Sequence, residues 1–243
     1  MTQLLVTAVT NVGHVRELNQ DRIVAGPWIL APDRPDIATV ICPPGASVAA
    51  VLDGMGGHAG GEIAALTAAD IVASCGDAIN GALSAKELVT RANAAVYRRM
   101  AELPQLAGMG TTLAGIALVG DDAVLFNVGD ARVYVVANTY LLQVSTDDAA
   151  PSGALTQSLG GRAAFEPVDA HVVVEPAIGR RFLLATDGLF GHLGDVELDH
   201  CLTEDDEATV SALVRAALDG GGPDNISIAL VRTMADLTEV AVR

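Results

Sequence analysis

The sequence predicts an α+β fold, two antiparallel sheets stacked face to face with helices outside, on three observations. Short apolar runs separated by turn residues fill positions 111–144 and return after 171. Three other segments carry apolar residues at helical spacing. The order of these signals is strands, helix pair, strands, helices, strand, with no repeat and no low-complexity linker. One domain over residues 1–243 is therefore expected.

Residues 3–10 read as a first strand, and Asn11-Val12-Gly13-His14 turns the chain. Residues 23–25 restart a strand. Five prolines make residues 27–45 a loop, with a short strand near 37–41. Residues 48–52 form a continuous apolar run, as in a strand buried on both faces, and it stops at Asp53 in a cluster of glycines. From Glu62, Ile63, Leu66, Ala69 and Val72 lie near one helical face until Gly76 and Gly81 break it. A second helix is expected from Ser84, where Ser84-Ala85-Lys86-Glu87 fits a capping box, with Leu88, Ala92, Ala95 and Val96 on one face and Pro104 as the stop. These two helices should pair over one sheet face.

Strands follow at 111–119 and 123–128, then at 132–136 and 140–144, with Gly129-Asp130-Ala131 as an interruption in an antiparallel meander. Residues 145–154 are a loop, and 155–161 carry no clear signal. Strands return at 171–174 and 182–185, helical signals at 189–200. A further helix follows Thr203-Glu204-Asp205-Asp206, again a capping-box pattern, with Val210, Leu213, Val214 and Ala217 as its apolar face. Residues 226–231 are a strand, and 237–242 a last one closing an edge.

The net charge of −16 argues against nucleic acid and anionic membranes as partners. No apolar run reaches the roughly 18 residues of a spanning helix, and the N-terminus lacks the features of a signal peptide, so a cytoplasmic protein is expected, and a monomer. Cys42, Cys75 and Cys201 have no ligand-like spacing and read as reduced thiols. Lys86 is the only lysine, which makes arginine the natural group for holding a phosphate.

Four junctions share one pattern, an aspartate beside a glycine or proline where a β run meets a turn: Leu52-Asp53-Gly54, Val128-Gly129-Asp130, Thr186-Asp187-Gly188 and Pro223-Asp224-Asn225. Asp21, just before a strand, is a fifth candidate. Any one alone is an ordinary turn or helix cap. Four together, three beside strongly apolar strands, would repel one another and protonate unless cations joined them. With arginine scarce and no His/Cys cluster at ligand spacing, Mg²⁺ or Mn²⁺ is the matching partner. Two such ions suit in-line attack on phosphorus by a hydroxide they share, and Arg16 is then a candidate for gripping the phosphate.

The motifs Arg16-x-x-Asn19-Gln20-Asp21, Asp53-Gly54-Met55-Gly56-Gly57-His58, Gly110-Thr111-Thr112, Gly129-Asp130-Ala131-Arg132, Leu155-Thr156-x-x-Leu159-Gly160, Ala185-Thr186-Asp187-Gly188-Leu189 and Gly222-Pro223-Asp224-Asn225 stand in one order along nearly the whole chain. In that order and spacing they resemble the PPM-type, metal-dependent Ser/Thr protein phosphatases, as a bacterial stand-alone catalytic domain. The resemblance implies a four-layer β-sandwich flanked by antiparallel helix pairs. It implies hydrolysis of phosphoserine and phosphothreonine in phosphoproteins, with a Ser/Thr kinase as the functional counterpart. Asp53 would bridge two metals, the Gly54 carbonyl would bind one, and Asp187 and Asp224 would complete the other site. Asp21 would act mainly through metal-bound water, Asp130 would share a weaker third site with Asp187, and Arg16 would hold the phosphate. Gln20 and Asn225 would stand behind these ligands.

The chain departs from the family pattern in three places. Gln20 stands where glutamate is frequent, which removes a charge. Met55 takes the place of a histidine proposed elsewhere as general acid, and His58 follows later, leaving it open to proton donation, substrate contact or packing. The flap over the site is reduced to residues 145–154, which bears on substrate selection and on the third metal. The short flap also leaves room for a non-catalytic binding protein of the same fold, or for a hydrolase of small phosphate esters. Thr111 and Thr112 read as structural, and His14, His171, His192 and His200 as surface or core residues without visible partners.

Overall fold

A computed structural model describes residues 2–30, 32, 36–56 and 60–235. The expected strand at 237–242 and His58 lie outside these described residues. In chain order the elements are β1 (Thr2–Asn11), β2 (Arg22–Ala25), β3 (Trp28–Ile29), β4 (Ala38–Ile41), β5 (Val48–Leu52), β6 (Gly54–Met55), α1 (Gly60–Cys75), α2 (Ala82–Glu102), β7 (Gly110–Thr111), β8 (Leu113–Val119), β9 (Asp122–Val128) and β10 (Arg132–Ala137). They continue as β11 (Tyr140–Gln143), β12 (Leu159–Gly160), β13 (His171–Pro176), β14 (Arg181–Ala185), α3 (Asp187–Phe190), α4 (Asp195–His200), α5 (Asp206–Asp219) and β15 (Ile226–Ala235).

Two six-stranded antiparallel sheets, ordered β11-β10-β14-β15-β1-β4 and β13-β9-β8-β5-β2-β3, stack into a sandwich. Strand periodicity sends alternate side chains to opposite faces. Ala49, Val51, Phe182, Leu184, Ala229 and Val231 therefore fill the space between the sheets. Their neighbours Ala50 and Leu52 face α1 and α2, and Leu183, Leu230 and Ile228 face α5. Because helices cover both outer faces, β5 is buried at every position, which is why its sequence is apolar without alternation. The helix nearest β5 is rich in alanine: Ala64, Ala65, Ala68 and Ala69 are fully buried, and small side chains let α1 lie close to the sheet.

Several local expectations change. The second helix starts at Ala82, with Gly81 as N-cap and no side-chain cap. Ser84 instead accepts from Asn80 N at 2.9 Å and donates to Gly81 O, so its hydroxyl serves the turn before the helix. The cap of α5 is Asp205, which accepts from Ala208 N at 2.9 Å, while Thr203 braces Asp205 N and bonds the Thr209 hydroxyl one turn into the helix. Residues 111–119 divide at Thr112 into β7 and β8. The interruption at Gly129-Asp130-Ala131 is a corner between layers: β9 belongs to one sheet and β10 to the other, so the meander does not run on.

β6 and β7, with β12, make a three-stranded strip at one end of the sandwich. There a Cβ on Gly54 would fall 2.3 Å from Gly61 O, and one on Gly61 would fall 2.5 Å from Gly54 C. The glycines after Asp53 thus serve a backbone-to-backbone contact that seats the start of α1 against β6.

Candidate metal centre

Strand pairing brings the acidic junctions together. Arg22 pairs with Leu52, Asn11 with Ile226, Ala185 with Ile228 and Arg132 with Ala185. The residues just beyond these pairs are Asp21, Asp53, Asn225, Thr186-Asp187 and Asp130. They come from both sheets and meet at the same end of the sandwich.

Each carboxylate is held differently. Asp53 follows β5, and its backbone is clamped by one residue: Thr112 Oγ1 accepts from Asp53 N at 3.1 Å, and Thr112 N donates to Asp53 O at 2.9 Å. Thr111 Oγ1 adds a bond to the same carbonyl at 2.8 Å. Asp21 is 1% exposed, and its Oδ2 accepts from Thr186 Oγ1 at 2.9 Å. That hydroxyl also accepts from Ser227 N at 3.0 Å, which ties Asp21 to β15. Asp187 opens α3, and a Cβ on Gly188 would overlap Asn225 O, at 1.9 Å, so the Asp187 and Asp224 segments interlock through a bare glycine. Asn225 staples the remaining loop: its Oδ1 accepts from Gln20 N at 2.8 Å, and its Nδ2 donates to Val12 O and Leu18 O, both at 3.0 Å.

The electrostatics show what this crowding does. Burial, less the bonds from Ser227 and Thr186, pushes the Asp21 carboxyl up to about 7, with the charges of Asp187 and Asp224 adding to the rise. Burial and the charges of Asp21, Asp187 and Asp224 hold Asp53 well above the carboxylate range. Asp187 is raised by burial and by Asp224, and Asp130 is pushed up to about 6 by burial and Asp187. Two buried oxygens, Asp21 Oδ1 and Asp187 Oδ1, have no hydrogen-bond partner. A buried acceptor left bare costs about 1–3 kcal/mol, more when charged. An all-oxygen set that is bare and crowded fits a hard divalent cation.

Arg16 and Asp224 are brought together more tightly than the sequence implied: Arg16 Nη2 lies 2.6 Å from Asp224 Oδ2. This pairing raises the Arg16 guanidinium above its usual value, through the hydrogen bond first and the charge second. Among the described residues no group of three or more His, Cys, Asp or Glu side chains is already placed to hold a metal ion together. Gly54 lies buried on β6 opposite Thr111, and Gln20 sits between Arg16 and Asp21. Sequence reading missed the grip of Thr186 on Asp21 and of Thr112 on Asp53. It also gave His171 no partner, whereas its Nε2 lies 2.9 Å from Asp148 Oδ1.

The protein phosphatase 2C model matches residues 34–223. Serine/threonine protein phosphatase PstP of Mycobacterium tuberculosis is 33% identical over 250 residues, covering 93% of this chain and 44% of PstP. The chain thus spans less than half the length of that relative. Protein phosphatase PhpP of Streptococcus pneumoniae is 27% identical over 252 residues, 93% of this chain and 96% of PhpP. A crystal structure of the PstP catalytic domain in complex with two manganese ions superposes with a TM-score of 0.78 at 28% identity, covering 97% of this chain and all of that one. The family match runs through the strand ends that carry Asp53, Asp130 and Asp187, and this chain belongs to the protein phosphatase 2C family.

Proposed function

We propose that residues 1–243 form one catalytic domain that hydrolyses phosphoserine and phosphothreonine in phosphoproteins with the help of divalent cations. The observation that carries this is the pair of bare buried oxygens, Asp21 Oδ1 and Asp187 Oδ1, within a set of carboxylates that mutually raise one another. Asp53, Gly54, Asp187 and Asp224 would hold two ions, Mn²⁺ or Mg²⁺, with Asp21 beside them and Asp130 with Asp187 at a weaker third. Bound there, the ions supply the nucleophile by acidifying water and neutralise charge on the phosphoryl oxygens. The names of the relatives support protein substrates, and the two manganese ions of the PstP structure support the cation requirement.

The chain's own residues have separable tasks in this reading. Asp53 and Asp187 would serve as carboxylate ligands, because a bound cation would offset the burial and neighbouring charge that raise them. Arg16, whose side chain is 56% exposed at the edge of the site, can turn from Asp224 to a substrate phosphate, where its planar fork binds two oxygens at once. Thr186 holds Asp21 so that Oδ1 remains the free oxygen. His58 would donate the proton to the leaving serine or threonine oxygen. A Ser/Thr kinase is the expected source of substrate, and a cytoplasmic monomer is the expected form. No helix among the described residues is long and apolar enough to cross a membrane.

The test is phosphate release from an aryl phosphate and from a phosphothreonine peptide, with Mn²⁺ and with chelator, by the wild type and Asp53→Ala. Metal-dependent turnover by the wild type, reduced at least about 100-fold in the variant, is expected. A folded, Mn²⁺-loaded wild type that turns over neither substrate would overturn the proposal.

A further inference from the structure

Outside the ligand set the chain buries another carboxylate, Asp148, in the loop after β11, and uses every polar atom of that residue. Oδ2 accepts from Gly129 N at 3.0 Å, while Oδ1 accepts from Gln157 Nε2 and faces His171 Nε2, both at 2.9 Å. Its backbone N donates to Gly129 O at 2.9 Å, and its carbonyl accepts from Thr156 N at 2.8 Å. A buried charge adds little to stability over an apolar residue of like size, but once satisfied it fixes the groups around it in one arrangement.

What Asp148 fixes is Gly129, gripped on both its N–H and its carbonyl. Gly129 has φ +90°, and a Cβ there would fall 2.7 Å from Thr112 Cγ2, so its backbone rests directly on the Thr112 side chain. Thr112 is the residue that clamps Asp53 by its N–H and its carbonyl. On the other side, Gly129 is bonded to Asp130. One buried side chain thus reaches two candidate cation ligands, Asp130 through the next peptide and Asp53 through Thr112.

We propose that Asp148 is a positioning residue, which locks the Gly129 corner between the two sheets and thereby sets Asp130 and Asp53 for their cations, with His171 and Gln157 as its outer tethers. It also gives the short flap, residues 145–154, a role, since Asp148 within it bonds the Gly129 corner. The inference rests on the proposed function, because only there do Asp53 and Asp130 matter as cation ligands.

The experiment is calorimetric titration of Mn²⁺ into the metal-stripped chain at neutral pH, for the wild type, Asp148→Ala and His171→Ala, with melting temperatures in chelator alongside. Partners standing behind metal ligands typically carry 10–100-fold in affinity, so Asp148→Ala should bind Mn²⁺ about tenfold more weakly. His171→Ala should weaken binding in the same direction. Charge alone predicts the opposite for His171, since removing a neutral or positive group beside a carboxylate leaves cation affinity unchanged or higher. Weaker binding by Asp148→Ala with unchanged or tighter binding by His171→Ala would therefore overturn the proposal. A lowered melting temperature with Mn²⁺ affinity intact would overturn it too, as a merely structural role. If Asp148→Ala does not fold, His171→Ala and Gln157→Ala decide by the same criterion. A wild type that binds no Mn²⁺ would instead remove the proposed function, and this inference with it.

Discussion

At the scale of the residue, the site is a problem in uncompensated charge. Asp21, Asp53 and Asp187 are raised by burial and act on one another electrostatically, and Arg16, whose charge lowers Asp187, is engaged with Asp224. The exposed Arg16–Asp224 pair is worth at most about 1 kcal/mol, little enough to be exchanged for stronger partners. A pH dependence follows for the metal-free protein. The three carboxyls have folded-state pKa values raised above the unfolded value of roughly 4, so the folded state binds more protons between the two. Their contribution to stability is fully present below about pH 4 and is lost as pH rises through the folded values, about 7 for Asp21. The chelated protein is therefore expected to melt at a lower temperature at pH 8 than at pH 5, with Mn²⁺ closing most of that gap and releasing protons into weak buffer. Melting curves with and without chelator check this, and equal melting temperatures at both pH values in chelator would contradict it.

At the scale of the element, strand ends carry the candidate ligands and their neighbours' backbones aim them. α3 begins at Asp187 because β14 ends there, and Gly188 permits the Asn225 carbonyl to approach where any side chain would collide. α5 is attached by its apolar face, with Leu213 fully buried, and by Asp206, which receives both Arg181 and Arg232. These two contacts should behave differently when changed. Gly188→Ala overpacks a backbone contact and is expected to destabilise by about 1–3 kcal/mol. It should also weaken Mn²⁺ affinity, because the displaced segment carries Asp224 and Asn225. Leu213→Ala should cost about 2–5 kcal/mol with Mn²⁺ affinity preserved in the folded protein, because α5 carries none of the candidate ligands. Denaturant melts paired with Mn²⁺ titrations separate the two, and a Gly188→Ala protein with wild-type affinity would show that the interlock does not aim Asp224.

At the scale of the whole molecule, a sandwich with helices on both faces leaves its strand ends as the surface where groups from both sheets can converge. That end is acidic within a chain of net charge −16. Such a field attracts cations and repels acidic peptides, and it fades with salt because the screening length falls from about 10 Å at 0.1 M to about 3 Å at 1 M. Phosphothreonine peptides flanked by arginine are therefore expected to show higher kcat/KM than peptides flanked by glutamate at low ionic strength. The ratio should shrink as salt is added, and a ratio independent of salt would place the preference in direct contacts instead.

The parts visible in the sequence were those that depend on local composition. Apolar runs with turn residues between them marked nearly every strand, because burial on one or both faces leaves a periodic record. The acidic junctions were visible too, because a charge at the end of an apolar run is costly wherever it occurs. Helix starts were less legible: Ser84 and Thr203 resemble caps, but the Ser84 hydroxyl serves the turn before its helix, and Thr203 bonds Asp205 and the Thr209 side chain while Asp205 is the cap. Four arrangements depended on the tertiary structure. They are the crossing of Gly129-Asp130-Ala131 between sheets, the pairing of Arg16 with Asp224, the hold of Thr186 on Asp21, and the reach of Asp148 to Gly129, Gln157 and His171. Arg16 and Asp224 are 208 positions apart, and Asp21 and Thr186 are 165 apart. Contacts at such separations leave no period or spacing in the chain: the pairing of β1 with β15 brings Arg16 to Asp224, and the stacking of the two sheets brings Asp21 to Thr186.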